Sequence, residues 1–320
     1  MKANKWLLLF LAVCLVFSLA ACSGGGGGAD TTADNGDDPA GGGGNGGGNG
    51  GNGGGNSAPA GPWLCFTATG SSTVSMIKTG TLNPIPTLVY SKDSSSWTDF
   101  VIGTTTVGLA DGEKVYFRAK STNNSFSNYI DVNNYRCIKF KMTGSIAASG
   151  NLMSLLDKDC ETKVIPNDYC FYNLFSNCKS LTTAPELPAT TLTASCYQFM
   201  FFLCTNLTTA PELPATTLTT SCYTNMFQGC SSLTTAPELP ATTLAELCYA
   251  SMFYGCSKLE NITVHFISWV GATNATFLWV DGDDPTKKVP PGGTFTCPNV
   301  LSEEYGVSRI PDGWTYDNSL

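Results

Sequence analysis

The chain has 320 residues, and 17 Lys and Arg residues against 25 Asp and Glu residues give it a formal net charge of −8 at pH 7. Only 13% of its residues are charged, and Lys and Arg form no continuous stripe. Because nucleic-acid binding depends on neutralising phosphates, this balance argues against nucleic acid as a partner.

The N-terminus predicts export. Lys2 and Lys5 precede an apolar run from Trp6 to Ala20 that is too short for a secure membrane span and is typical of a secretory signal. The run leads through small residues into Cys22, a pattern that resembles the lipobox of bacterial lipoproteins. The resemblance implies a signal peptide over residues 1–21 and a lipid anchor on Cys22. An ordinary signal peptide followed by an unanchored protein is the alternative.

Residues 22–62 are interpreted as the anchor cysteine and a disordered linker rich in Gly and Asn, with GGGGNGGGNGGNGGGN from Gly41. No apolar periodicity is present that would offset the entropy of ordering this segment. A Gly-rich coil of about 40 residues spans about 35 Å on average. The linker is therefore predicted to hold the folded part away from the membrane.

Residues 63–150 contain short runs rich in β-branched and aromatic residues, such as KVYFRAKS and RCIKFKMTG. Several runs alternate apolar with polar residues, as half-buried strands do. Turn-forming residues separate them, for example at 110–113 and 122–125. About six strands in about 85 residues predict a small antiparallel sandwich or barrel.

A repeat follows. The twelve residues LTTAPELPATTL begin at Leu181, Leu207 and Leu233, 26 residues apart, and each copy follows a cysteine-bounded segment such as CYTNMFQGC. Periods of about 20–29 residues with leucines at fixed offsets indicate a leucine-rich-repeat solenoid. Prolines limit LTTAPEL to a short extended strand, whereas the near-helical spacing of Tyr, Met and Phe predicts a helical turn or two in the cysteine-bounded segment. Each unit is expected to bury its apolar side against the next copy.

These elements together predict a mixed α+β fold. A small antiparallel β-sandwich over residues 63–150 is followed by a short leucine-rich-repeat solenoid over residues 151–260 and a C-terminal cap over residues 261–320. Equivalent residues of adjacent units are expected about 4.8 Å apart.

The units also resemble BspA-type leucine-rich repeats of bacterial surface proteins. More closely, the pattern CYxxMFxGCxSLTTAPELPATTL resembles a variant found in anchored surface lipoproteins, and the resemblance covers residues 151–259. The closing motifs GGTFTCP and IPDGWTY are similar to the ending of such proteins. The resemblance implies adhesion or binding at the cell surface and supplies no catalytic residue.

Eight of the fourteen cysteines form four CX7C pairs in the repeats. Zinc sites usually place two to four residues between paired cysteines, and the chain has a single histidine, so no metal or other cofactor is predicted. Helical spacing would place the paired Cα atoms about 12 Å apart, beyond the roughly 7 Å limit of a disulfide. Reduced thiols stacked in the core are favoured, with disulfides between adjacent units as the alternative. Cys65 and Cys137 could also pair.

Threonines and glutamates that recur in every unit form the predicted binding surface. They are Thr182, Thr183, Glu186, Thr208, Thr209, Glu212, Thr234, Thr235 and Glu238. Three carboxylates in register repel one another unless a cation or a basic partner neutralises them, although they could instead splay into solvent. His265 is interpreted as a satisfied strand residue and not as a catalytic base.

The sequence thus predicts a non-catalytic protein, lipid-anchored through Cys22 to the outer membrane at the cell surface. Its repeats would bind or adhere to a host or neighbouring protein or glycan. A structural or antigenic coat protein without a ligand is one alternative. Another is a glycan-capture component in which Trp63 and Trp97 stack on sugar rings. No GxSxG elbow, EF-hand or phosphate-binding loop indicates an enzyme.

Overall fold

A computed structural model describes residues 62–131, 134–281 and 288–320. The predicted signal peptide, the anchor Cys22 and the linker up to residue 61 lie outside the described residues. The side chains of residues 129–135 also lie outside the described part of the chain.

Eleven strands and one short 3-10 helix make up the regular structure of the described residues. The strands are β1 (Leu64–Thr79), β2 (Leu88–Ser91), β3 (Thr98–Phe100), β4 (Thr106–Leu109), β5 (Lys114–Ala119), β6 (Ser127–Asp131), β7 (Asn134–Ser149), β8 (Leu181–Thr183), β9 (Asn261–Thr263), β10 (Thr294–Thr296) and β11 (Thr315–Asp317), with the 3-10 helix at Leu152–Leu155. An eight-stranded sheet has the order β3-β2-β5-β1-β7-β6, with β4 on β1 and β8 on β7. A parallel three-stranded sheet has β10 between β9 and β11.

The predicted mixed α+β class is wrong, because the described residues contain no α-helix. The predicted order of a β-sandwich followed by a leucine-rich-repeat solenoid is also wrong. The eight-stranded sheet is mainly antiparallel, and the repeats contribute only the three residues of β8, which pair in parallel with β7. Beyond β8 the repeats make isolated bridges, such as Thr183 with Thr209 and Thr235 with Asn261.

The cysteine-bounded segments form chains of β-turns, and we call them turn segments (residues 169–178, 195–204, 221–230 and 247–256). Every second amide donates within the segment, as Tyr172 N–H does to the Tyr169 carbonyl at 3.0 Å. The amides between them donate to the following unit, as Phe171 N–H does to the Cys196 carbonyl at 2.9 Å. A helix satisfies its interior amides within itself, so this alternation excludes helical turns and ties each unit to the next.

Left-handed backbone recurs at every fourth residue of the turn segments. Ser221, Asn225 and Gly229 have φ values of 57°, 57° and 74°. Asn and Gly adopt this conformation at small cost, and their four-residue spacing is the sequence signal for turns that the helical interpretation overlooked. Leu203 has φ of 57° at the position equivalent to Gly229 without that advantage.

Two ladders of aromatic rings run through the stacked units. Their members are Phe126, Phe171, Tyr197, Tyr223 and Tyr249 in the first, and Phe140, Phe175, Phe201, Phe227 and Phe253 in the second. Successive ring centroids lie 5.1 to 6.0 Å apart. Phe126 and Phe140 precede the repeats in sequence, so the strand-rich part supplies the first layer of the stack. Trp279 closes the second ladder, 6.1 Å from Phe253.

All eight repeat cysteines are buried free thiols. The Sγ atoms of Cys204, Cys230 and Cys256 each lie 3.1 Å from a carbonyl oxygen of the preceding unit, to which the thiol donates. Burial raises the pKa of the Cys256 thiol to about 12. Because the thiolate is the reactive form, these thiols act as small core residues and are unreactive at neutral pH.

Cys65 and Cys137 do not pair. Cys65 lies opposite Ser149 and Cys137 lies opposite Thr79, at the two ends of the long β1–β7 pair. Strand geometry separates the two thiols by on the order of 40 Å, far beyond the reach of a disulfide.

Candidate functional site

Three of the predicted binding threonines hold the fold together. Thr182 and Thr183 are half-buried, and their hydroxyls donate to the carbonyls of Ile146 at 3.1 Å and Ala148 at 2.9 Å in β7. The Thr208 hydroxyl donates to the Thr182 carbonyl at 3.0 Å. These hydroxyls already donate to backbone carbonyls, so they are not available as donors to a ligand.

The remaining predicted threonines, Thr209, Thr234 and Thr235, are exposed, and so are the three predicted glutamates. Glu238 Oε1 forms a hydrogen bond with Nε2 of His265, so this carboxylate already has a partner in the segment that follows the repeats. Within the described ranges Glu186 and Glu212 make no ion pair. The carboxylates of Glu186 and Glu212 are therefore open to an external cation, whereas that of Glu238 already contacts His265 through one oxygen.

A concave surface of about 510 Å³, here called the repeat groove, brings Glu186 and Glu212 together. Its apolar wall consists of prolines at equivalent positions of two successive units, with Leu187 beside them. These prolines are Pro185, Pro188, Pro211 and Pro214. The exposed Lys163 is the one cationic side chain among the described residues that line the groove. Because proline is rigid and lacks an amide donor, the same ring repeats with each unit as a fixed apolar contact.

A second concavity of about 670 Å³, here called the amide cleft, lies between the loop before β2 and two further loops, residues 121–128 and 167–169. Most of its lining residues carry a side-chain amide or hydroxyl, and the rest of the lining is mainly apolar. From sequence, residues 122–125 were predicted only as a turn, and the cleft was not predicted. Clustered Asn and Asp at residues 123–124 and 167–168 were the available signal, but only the tertiary fold brings the two clusters together.

Trp63 and Trp97, the candidate sugar-stacking residues, are packed on a cation. Their rings meet edge to face with centroids 4.9 Å apart. The Arg118 guanidinium carbon lies 5.1 Å from the Trp63 centroid and 4.0 Å from the Trp97 centroid. Trp63 also donates its indole N–H to the Lys158 carbonyl at 2.9 Å. One face of each ring is thus covered by Arg118.

No protein-family model, curated protein or solved structure matches the chain. The resemblance to BspA-type repeats therefore remains a prediction from sequence motifs. Among the described residues, no group of three or more His, Cys, Asp or Glu side chains is arranged to hold a metal ion. No helix in that part of the chain is long and apolar enough to cross a membrane.

Proposed function

We propose that the chain is an exported surface protein that acts by non-catalytic binding, and that the repeat groove is where it contacts a partner. The observation that carries the proposal is the convergence of Glu186 and Glu212, one from each of two successive units, on one concave surface. The anchor through Cys22 and a location at the cell surface, on the outer membrane, belong to the same proposal. The N-terminal sequence supports them.

Charge complementarity favours a basic segment of an extracellular protein as the partner. Two exposed carboxylates face one Lys163 at the groove, which leaves an excess of negative charge. In the third unit His265 occupies the place beside Glu238 that a partner's cation would take in the first two. Opposed charges of this kind contribute mainly to the rate and specificity of association.

The proline wall complements the same partner. Lys and Arg side chains place their aliphatic stems along apolar surface while their charged heads reach solvent or a carboxylate. The half-buried Pro188 and the exposed Pro214 offer such a surface beside Glu186 and Glu212. An extended basic segment would therefore make both contacts at every unit it crosses.

The double variant Glu186→Gln/Glu212→Gln tests this proposal with a ten-residue oligolysine peptide as the probe. Exposed charge pairs contribute about 0.2–1 kcal/mol each, so the double variant is expected to bind the peptide about 2- to 30-fold more weakly. Fluorescence anisotropy of the labelled peptide against the full chain, at low and physiological salt, provides the measurement.

Glu246→Gln is the matched control, because Glu246 is an exposed repeat carboxylate that does not line the groove. The control removes one negative charge from the same part of the protein and should leave the affinity nearly unchanged. Equal affinity of the double variant and the unmodified chain would show that recognition takes place elsewhere.

A further inference from the structure

The amide cleft is held in shape by a buried side chain. Asn123 is only 7% exposed, and its side-chain oxygen accepts a hydrogen bond from Thr87 N–H at 2.9 Å. Its side-chain nitrogen donates to the Thr87 carbonyl at 3.1 Å and to the Leu155 carbonyl at 2.8 Å. One buried amide thus fixes the loop before β2 against the loop before β6, so two walls of the cleft are preformed.

The third wall is anchored to the same loop and to the repeats. Asn167 donates its side-chain N–H to the Asn124 carbonyl at 3.1 Å. The Asp168 Oδ1 atom accepts the Ala194 N–H at 2.9 Å. These contacts use one polar atom of each side chain, and within the described residues the Asn167 Oδ1 and Asp168 Oδ2 atoms make no hydrogen bond.

Three further asparagine side chains at the cleft are exposed and free to bind a ligand. The side chains of Asn83, Asn124 and Asn128 make no hydrogen bond within the described residues. Each side-chain amide offers two N–H donors and one carbonyl acceptor. A ligand that both donates and accepts at neighbouring positions would satisfy them best, as adjacent sugar hydroxyls do.

The charge and the apolar surface of the cleft restrict the chemical class of the ligand further. Among the described residues, no Lys, Arg or His side chain lines the cleft and Asp168 supplies its carboxylate, so an anionic sugar or a phosphate would meet repulsion. Ile85 is 44% exposed beside Pro84 at the rim, which gives a small apolar surface for the C–H face of a sugar ring. The volume of about 670 Å³ lies within the range of about 300–1,000 Å³ typical of ligand sites.

We propose that the amide cleft binds a neutral glycan through the side chains of Asn83, Asn124, Asn128, Asn167 and Asp168. This site is separate from the repeat groove and does not depend on the function proposed for it. It also differs from stacking on Trp63 and Trp97, whose rings pack on Arg118.

The test uses the full chain with neutral oligosaccharides built from glucose, galactose, mannose and N-acetylglucosamine, beside sialylated and sulfated oligosaccharides of equal length. Isothermal titration calorimetry is expected to detect binding of at least one neutral oligosaccharide and no binding of the sialylated or sulfated ones. Each lost hydrogen bond weakens binding about 2- to 12-fold, so the double variant Asn124→Ala/Asn128→Ala should bind at least about fivefold more weakly.

Asn206→Ala is the matched control, since Asn206 is an exposed asparagine of the repeats that does not line the cleft. It should bind the oligosaccharide as the unmodified chain does. Because Asn124 and Asn128 expose side chains without internal hydrogen bonds, thermal unfolding of the double variant should be unchanged.

Several results would overturn the assignment. They are failure of every neutral oligosaccharide to bind at millimolar concentration, preference for an anionic one, and equal binding by the double variant and the unmodified chain. If Trp97→Ala loses binding while the double variant retains it, the glycan binds at the tryptophan pair, and the assignment to the amide cleft is also overturned.

Discussion

Phe201→Ala is expected to lower the free energy of unfolding by about 3–5 kcal/mol. Phe201 is fully buried in the middle of the second aromatic ladder, 5.4 Å from Phe175 and 5.6 Å from Phe227 between ring centroids, with nearly parallel planes. The neighbouring layers are tied together by hydrogen bonds such as Phe175 N–H to the Met200 carbonyl, at 2.9 Å. They are therefore unable to close on the space that the ring vacates, and the cavity remains.

Urea unfolding followed by circular dichroism and tryptophan fluorescence measures this change. Trp63 and Trp97 pack on Arg118, the neighbour of Phe117, whose ring contacts Phe140 in the first layer, and Trp279 contacts Phe253 in the last, so fluorescence reports both ends. Thr217→Ala is the control, because Thr217 is exposed in the same unit and such a change costs within about 0.5 kcal/mol. A loss as small as that of the control would show that the ring ladder does not support the stack.

Gly150→Ala is expected to cost about 2–5 kcal/mol. Gly150 has φ of 71°, where a Cβ atom adds about 1–2 kcal/mol of backbone strain. A Cβ built there would also lie 2.0 Å from the Trp63 carbonyl oxygen, a contact with rigid backbone that adds about 1–3 kcal/mol. The Gly150 carbonyl accepts Glu186 N–H at 2.9 Å, so the strain falls where the sheet meets the first repeat.

Gly112→Ala separates the two causes of that cost. Gly112 has φ of 72°, but a Cβ there meets nothing within 4 Å, so only the strain of about 1–2 kcal/mol is expected. The same urea experiment compares the two variants. Equal losses of stability would mean that the close approach of Trp63 to Gly150 contributes nothing, which contradicts the described junction.

The repeat period predicted the packing of the units but not their backbone. The prediction that each unit buries its apolar side is confirmed, because Leu181, Leu207 and Leu233, which begin the three copies of LTTAPELPATTL, are fully buried. The predicted helical turns were wrong, since apolar spacing over nine residues fits a chain of turns as well as a helix. The turns are distinguished from a helix by amides that donate to the next unit. The acceptor of such an amide lies 25 residues away, as the Cys196 carbonyl does for Phe171 N–H, so the local sequence does not reveal it.

The junction between β7 and the first repeat, and the amide cleft, could not be predicted from sequence for a related reason. Strand β7 was foreseen as part of a separate sheet, yet its residue Ile146 pairs with Leu181 of the first repeat. The cleft needs loops near residues 85, 123 and 168 to converge. Neither contact leaves a local pattern, because pairing across such distances depends on tertiary packing and not on residue spacing.

The central claim is that each unit packs on the next copy of itself, and removing one whole unit tests it most directly. Deleting residues 196–221 removes 26 residues and joins Ser195 to Cys222, which restores the local sequence that originally joined Ser195 to Cys196. The ring of Phe175 would then meet Phe227 in place of Phe201. Urea unfolding of this deletion should remain a single cooperative transition with moderately reduced stability, whereas deletion of residues 196–208, half a unit, should abolish the transition. If the whole-unit deletion loses cooperative unfolding as completely as the half-unit deletion, the units do not stack on equivalent copies and the account is contradicted.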